Sequence, residues 1–304
     1  DRKYRLGRFL VVKRLTGLAS TTARCITSGM TKKSILITGS SSGIGYDAAH
    51  GLRAAGWRVF ASCRKANDCA RLQAEGFESP LIDYTDADTI VNGLAEVLEA
   101  TGGTLDALYN NGAYAIPGAI EDLPTAALRE IFETNVFGWH ELTRLTIPVM
   151  RAQGHGRIVN CSSVLGFVGY RWRGAYAATK YALEGLTDIL RLEMADTEIK
   201  VILIEPGPIT SQFRNNAVPH FEKWVDWEHS AMRDGYKEEL DRLYKETEPS
   251  KYEMPPSAVT KKLLHAITSP NPKPRYFVTM PTYLMGILKR ILSTRMLDAV
   301  ISRG

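Results

Sequence analysis

Thr38-Gly39-Ser40-Ser41-Ser42-Gly43-Ile44-Gly45 follows directly on the apolar run Ile35-Leu36-Ile37, so an extended segment ends on three glycines and passes into a helix beginning near Ile44. Without Cβ atoms the backbone can approach a pyrophosphate closely, and the helix start offers unpaired N–H groups and the positive end of its dipole. Glycine triplets are common, and the position between strand and helix is what carries the reading. Gly39, Ser40, Ser42, Gly43, Ile44 and Gly45 are therefore the candidate phosphate cradle.

Working outward, short apolar and β-branched runs recur at Val59-Phe60-Ala61, Leu81-Ile82, 105–109, 157–160, 201–204 and 276–278, each separated by helical patterning. Strands alternating with helices build right-handed βαβ units. The expected fold is α/β: a Rossmann-type, doubly wound, parallel seven-stranded sheet with helices on both faces. Ligands of such sheets bind at the carboxyl ends of the strands, where all the motifs singled out here fall.

The second strand ends in Ser62-Cys63-Arg64-Lys65, with no acid to receive the ribose hydroxyls of NAD. Arg64, with Lys65 and Ser40, points instead to the extra phosphate of NADP, which a guanidinium can hold through two hydrogen bonds. Asp83, after the third expected strand, is a candidate for the adenine pocket. Further on, Tyr176-Ala177-Ala178-Thr179-Lys180 places a phenol and an ammonium four residues apart, on one face of a helix. A positive charge there favours the phenolate, so Lys180 is expected to lower the pKa of Tyr176. Ser162 and Ser163 both lie upstream as candidate hydroxyl donors.

These residues resemble the short-chain dehydrogenase/reductase family across about residues 32–280. Thr38 to Gly45 is similar to its T-G-x-x-x-G-x-G loop, Asn110-Asn111-Gly112-Ala113 to its N-N-A-G strand end, and Tyr176 to Lys180 to its Y-x-x-x-K. Asn135, in Thr134-Asn135-Val136-Phe137-Gly138, and Ser163 complete a set resembling the family's catalytic tetrad, and the family spacing selects Ser163 over Ser162. Pro206-Gly207-Pro208-Ile209 resembles the P-G motif beside the nicotinamide. The resemblance implies that Tyr176 protonates a carbonyl oxygen held by Ser163 as NADPH delivers hydride. Lys180 then binds the nicotinamide ribose, and Asn135 positions a relay water. Asn110, Gly112, Tyr176, Lys180, Pro206, Gly207, Ile209 and Ser211 join the implied cofactor contacts. Two departures stand out: Gly112-Ala113 reverses the usual Ala-Gly order, and Ser211 replaces a common threonine while keeping the hydroxyl. Within the family the chain resembles bacterial aldehyde reductases and the retinol and 17β-hydroxysteroid dehydrogenase-like branch, which implies a lipophilic aldehyde, ketone or alcohol as substrate.

At 304 residues and 44% hydrophobic content the chain can bury one substantial core. The net charge of +5 divides unevenly: residues 1–33 hold nine Lys and Arg and one acid, leaving 29 basic and 32 acidic residues, a balance of −3, for the remainder. That near-neutral body excludes a basic nucleic-acid stripe. Residues 1–31 form a basic extension, with the character of a targeting segment or surface helix; the favoured reading is an upstream extension ahead of Met30. Cys25, Cys63, Cys69 and Cys161 show neither disulfide nor metal spacing, so no metal and a reducing, cytoplasmic setting are expected. Domain 32–280 carries an insertion at 211–256 whose Phe213, Phe221, Trp224 and Trp227 either cover an apolar substrate or pack the insertion onto the body. The tail, 281–304, sets Leu284, Ile287, Leu288, Ile291 and Leu292 against Lys289 and Arg290, a stripe for the body, a second subunit or a membrane interface. A homo-oligomer is expected from the resemblance. A member of a different functional class, an NADP(H)-binding sensor or scaffold without turnover, is the competing reading.

Overall fold

The computed structural model describes residues 32–245 and 251–302. The expectations for residues 1–31 lie outside the described residues. Six strands form one wholly parallel sheet: β1 (Ser34–Ile37), β2 (Arg58–Ala61), β3 (Ala107–Asn110), β4 (Gly156–Cys161), β5 (Ile199–Glu205) and β6 (Arg275–Phe277), in the order β2-β1-β3-β4-β5-β6. Every residue of β1 and β3 is buried, as a sheet covered on both faces requires. From β1 the chain winds one way to β2 and then crosses back to β3, and this reversal opens a crevice at the carboxyl ends of β1 and β3.

The expected seventh strand at Leu81-Ile82 does not form. Residues 78–82 do run beside β2, with Ala61 N–H donating to Glu78 O (2.8 Å) and Ile82 N–H to Cys63 O (2.9 Å). Pro80 sits between them and has no N–H for the Ala61 carbonyl, which takes the Ser79 hydroxyl instead at 2.6 Å. Isolated bridges replace a ladder.

Helices α1 (Gly43–Ala54), α2 (Ala66–Ala74) and α3 (Ala87–Thr101) connect the first half. Asp86 caps α3 by accepting from the N–H groups of Asp88 and Thr89. Helix α4 (Thr125–Phe132) runs through a π-helical turn, Glu133–Phe137, into α5 (Gly138–Gln153), and α6 (Gly174–Glu193) follows β4. The insertion supplies α7 (Phe213–Trp224) and α8 (Arg233–Tyr244); α9 (Ser257–Thr268), α10 (Met280–Ile291) and α11 (Thr294–Ile301) complete the chain.

The insertion is pinned where it leaves and rejoins the body: Met254 N–H donates to Pro208 O (3.2 Å), and Thr210 N–H to Met254 O (3.0 Å). Its Phe221 and Tyr236 are buried in a second apolar cluster with Tyr114, Ile116, Ile131 and Tyr176. In the tail, α10 turns Thr282 and Gly286 to the body and leaves Tyr283, Leu284, Ile287 and Ile291 exposed. No described helix is long and apolar enough to cross a membrane.

Candidate active site

The glycine loop turns sharply at Gly39 and Gly43, whose φ angles of +65° and +57° suit glycine. At Gly45, the first turn of α1, a Cβ would lie 2.3 Å from Gly39 O, so the helix start can close onto the loop only without a side chain. Ser42, the N-cap of α1, makes no side-chain cap hydrogen bond, and Ile44 is half-buried. The loop is tied to the end of β3 by Asn111, whose Nδ2 donates to Thr38 O (3.1 Å) and Gly39 O (3.3 Å). Gly112 packs there, since a Cβ would come within 3.3 Å of Gly39 Cα. A cradle with bare glycines and an uncapped helix start fits a dinucleotide pyrophosphate.

Not every predicted cofactor residue faces this groove. Ser40 is buried and its hydroxyl donates inward to Ile37 O (3.0 Å). Asn110 is fully enclosed, donating to Thr143 Oγ1 and Asn160 Oδ1 and accepting from Tyr84 Oη, so its side chain ties β3 to its neighbours. The Asp83 carboxylate accepts from Thr85 N–H and Thr85 Oγ1, both at 2.9 Å. Arg64 and Lys65 are exposed just past β2. Past β5, Pro206 O accepts from Val164 N–H at 2.8 Å, Gly207 lies against the Thr279 and Thr282 hydroxyls, Ile209 bridges to Met254, and a Cβ on Gly43 would stand 3.1 Å from Ser211 Cβ.

On the other side of the crevice, α6 brings Tyr176 and Lys180 to one buried face. Lys180 Nζ donates to Cys161 O (2.8 Å), lies 4.3 Å from the Trp139 ring centre and 5.5 Å from that of Tyr176. Ser163 follows β4, its Oγ accepting from Leu165 N–H at 3.1 Å and leaving its own proton to donate. Asn135 sits in the π-turn, an element found often at functional sites. Its Oδ1 accepts from Tyr114 N–H (3.1 Å), and its Nδ2 donates to Tyr114 O (2.8 Å) and Thr179 Oγ1 (3.2 Å). The structure thus gathers the four around the first turns of α6: Tyr176 and Lys180 on its buried face, Ser163 beside the Tyr176 hydroxyl, and Asn135 bonded to Thr179.

The short chain dehydrogenase family model matches residues 33–221, well over half of the chain and all four of these residues. The chain belongs to this family. The uncharacterized oxidoreductase YbbO of Escherichia coli is 38% identical over 277 residues, covering 91% of this chain and 96% of its own. Retinol dehydrogenase 16 of Mus musculus is 30% identical, covering 91% and 90%. A crystal structure of a short-chain dehydrogenase from Streptomyces avermitilis superposes with a TM-score of 0.69 at 27% identity, covering 91% of this chain and 99% of that one. The chain is accordingly an oxidoreductase of the short-chain dehydrogenase family, acting with a nicotinamide cofactor.

In this short-chain dehydrogenase burial sets the acidities of the dyad. It pushes the Lys180 ammonium down to about 8, against the pull of Cys161 and Glu184. The Tyr176 phenol is raised well above its ordinary value by burial and by Cys161, with Ser163 working the other way. The expected lowering by Lys180 does not appear: burial of the phenol dominates, and the one opposing influence is the Ser163 hydrogen bond. Three contributors escaped sequence reading. Trp139 lies one helical turn after Asn135 and donates from Nε1 to Gly112 O at 2.8 Å, so it braces both Lys180 and the β3 end. Tyr114 backs Asn135 and stacks on His220 of α7 at 3.9 Å. Arg173, just before α6, forms a buried two-pronged pair with Glu239 of α8 at 2.7 and 3.0 Å. The four-residue spacing of Asn135 and Trp139 was a usable signal; the other two depend on the insertion's path. Phe213, at the head of α7, meets the Tyr176 ring edge-on at 5.2 Å.

Proposed function

We propose that this chain is an NADP(H)-dependent carbonyl reductase, interconverting an apolar aldehyde or ketone and its alcohol. The observation that carries the reading is the buried Tyr176–Lys180 face, flanked by Ser163 and roofed by an aromatic side chain, Phe213. Nicotinamide, when bound, supplies the hydride. Tyr176 gives its proton to the carbonyl oxygen, and the Ser163 hydroxyl donates a hydrogen bond to that same oxygen, where negative charge develops. Lys180 brings the positive charge that stabilises the phenolate left behind. Asn135 has its side chain committed to Tyr114 and Thr179, so its part is to fix the turn facing Lys180. Arg64 and Lys65, with no acid beside them, support the phosphate-bearing cofactor, while Gly39 to Gly45 fit its pyrophosphate. The roof supports an apolar substrate, since a phenyl ring over the acid offers no hydrogen bond.

The test is oxidation of NADPH with a panel of apolar aldehydes, retinal and ketosteroids, repeated with NADH and with Tyr176→Phe. Turnover with NADPH that falls at least about a hundredfold in the variant, with cofactor binding retained, is the expected result. Near-normal kcat in Tyr176→Phe would remove the mechanism. Tight NADPH binding with no turnover across the panel would favour the sensor reading.

A further inference from the structure

The face of α6 that carries Tyr176 and Lys180 continues turn by turn to Glu184 and Asp188. Glu184 and, at the end of β5, Glu205 are both buried, the latter completely. One guanidinium serves both. Arg275 Nη1 donates to Glu184 Oε2 and, at 2.6 Å, to Glu205 Oε1, while Nη2 reaches Asp188 Oδ2 at 2.6 Å. Glu184 Oε1 and Glu205 Oε2 are enclosed without a hydrogen-bond partner, as is the neighbouring Ser162 Oγ. Gly166 closes the gap, since a Cβ there would lie 2.4 Å from Ser162 Oγ and 2.8 Å from Glu184 Oε1.

Two buried carboxylates on one arginine are costly unless a proton is held between them, and a protonated carboxyl can donate to its partner's orphan oxygen. The groups facing the pair are Lys180 and Asp188, itself paired with Arg191, from α6; Cys161 and Ser162 from β4 and its end; Tyr109 behind Cys161 from β3; and Arg275 from β6. From the tail, Lys289 reaches Phe167 O, just beyond Gly166.

We propose that Glu205 holds a proton beside Glu184 under the Arg275 clamp and that the two act as positioning residues for Lys180, setting the pH range over which it keeps its charge. Burial and the Glu184 charge push the Glu205 carboxyl up to about 8, into the interval where Lys180 also titrates. As pH rises Glu205 gives up its proton, net negative charge grows in the cluster that Lys180 faces, and the ammonium is retained further. The catalytic meaning rests on the carbonyl reductase reading. The Tyr176 O–H bond breaks, its proton goes to the carbonyl oxygen while hydride reaches carbon, and the Lys180 ammonium steadies the phenolate until solvent restores the proton.

The experiment is an NMR titration of the full chain labelled with 13C at lysine Cε, the Lys180 signal being assigned with Lys180→Arg. It is run beside the pH profile of kcat/KM for reduction. Glu184→Gln and Glu205→Gln should each lower the Lys180 midpoint by about one pH unit, a tenfold change in rate on the alkaline limb, with Glu184→Asp restoring part of it. Should one Gln variant fail to fold, the other decides. An unchanged midpoint in a folded Gln variant, or a kcat lowered evenly at every pH, overturns the proposal and leaves the reductase reading intact. A shifted midpoint in a protein that turns over no carbonyl sustains the coupling and removes that reading.

Discussion

Arg64, exposed just past β2, is the residue to which the proposed preference for NADP is assigned. Arg64→Asp should swing the ratio of kcat/KM for NADPH over NADH by at least about tenfold toward NADH, or about 1.4 kcal/mol. An unchanged ratio in steady-state kinetics with both cofactors would show that the phosphate is held elsewhere. The residues legible in the sequence were those whose chemistry depends on local spacing. Tyr176 and Lys180 meet because a helix brings positions four apart together, and the Gly39–Gly45 turn follows from its strand and helix. Asn110 and Ser40 were read for the right place but the wrong direction, because alternation in a strand and a hydroxyl's preference for Ile37 O are settled by neighbours far away in sequence. Tyr114 and Trp139 gain their meaning only once β3, the π-turn and α6 are brought together.

Among the elements, the insertion and the segment before α6 are joined by the Arg173–Glu239 pair, in which the Glu239 side chain is 2% exposed. Burial alone would raise the Glu239 carboxyl, but hydrogen bonds from Arg242 and Arg173 bring it below its ordinary value. Glu239→Ala leaves Arg173 buried without its partner, and the expected loss is about 3–5 kcal/mol, measured by urea unfolding. If α8 docks independently of this pair, stability and the KM for apolar carbonyls will both be unmoved. Six of the seven expected strands were legible from β-branched runs bounded by turns. The seventh was not, because the apolar pair Leu81-Ile82 looks the same whether or not Pro80 interrupts the ladder. Of the insertion's two readings, packing onto the body is seen at Phe221, while Phe213 meets the Tyr176 ring edge-on and its cover over an apolar substrate belongs to the proposed function. In the tail the apolar stripe was legible, but the face that α10 turns inward is the small one, at Thr282 and Gly286.

For the molecule as a whole, the buried carboxylates make stability depend on pH in an unusual sense. The folded value of Glu205 is raised from 4.5 to about 8, so the native chain holds a proton that the unfolded chain releases. Its contribution is therefore complete below about 4.5 and is lost as pH rises through about 8. Thermal unfolding midpoints should fall between pH 5 and pH 8, and Glu205→Gln should flatten that fall; a wild-type profile rising over the interval would contradict the assignment. A different consequence follows from the pairing of residues 208–210 with Met254. Because the insertion enters and leaves the sheet at one point, the sheet does not register how much chain lies between, and closing a longer loop costs little more than closing a shorter one. Segments of other lengths can be closed there as long as they keep what the insertion gives the body, a partner for Arg173 and a ring against Tyr176. In evolutionary terms, the length of this segment is free to drift while the few contacts that tie it to α6 are not.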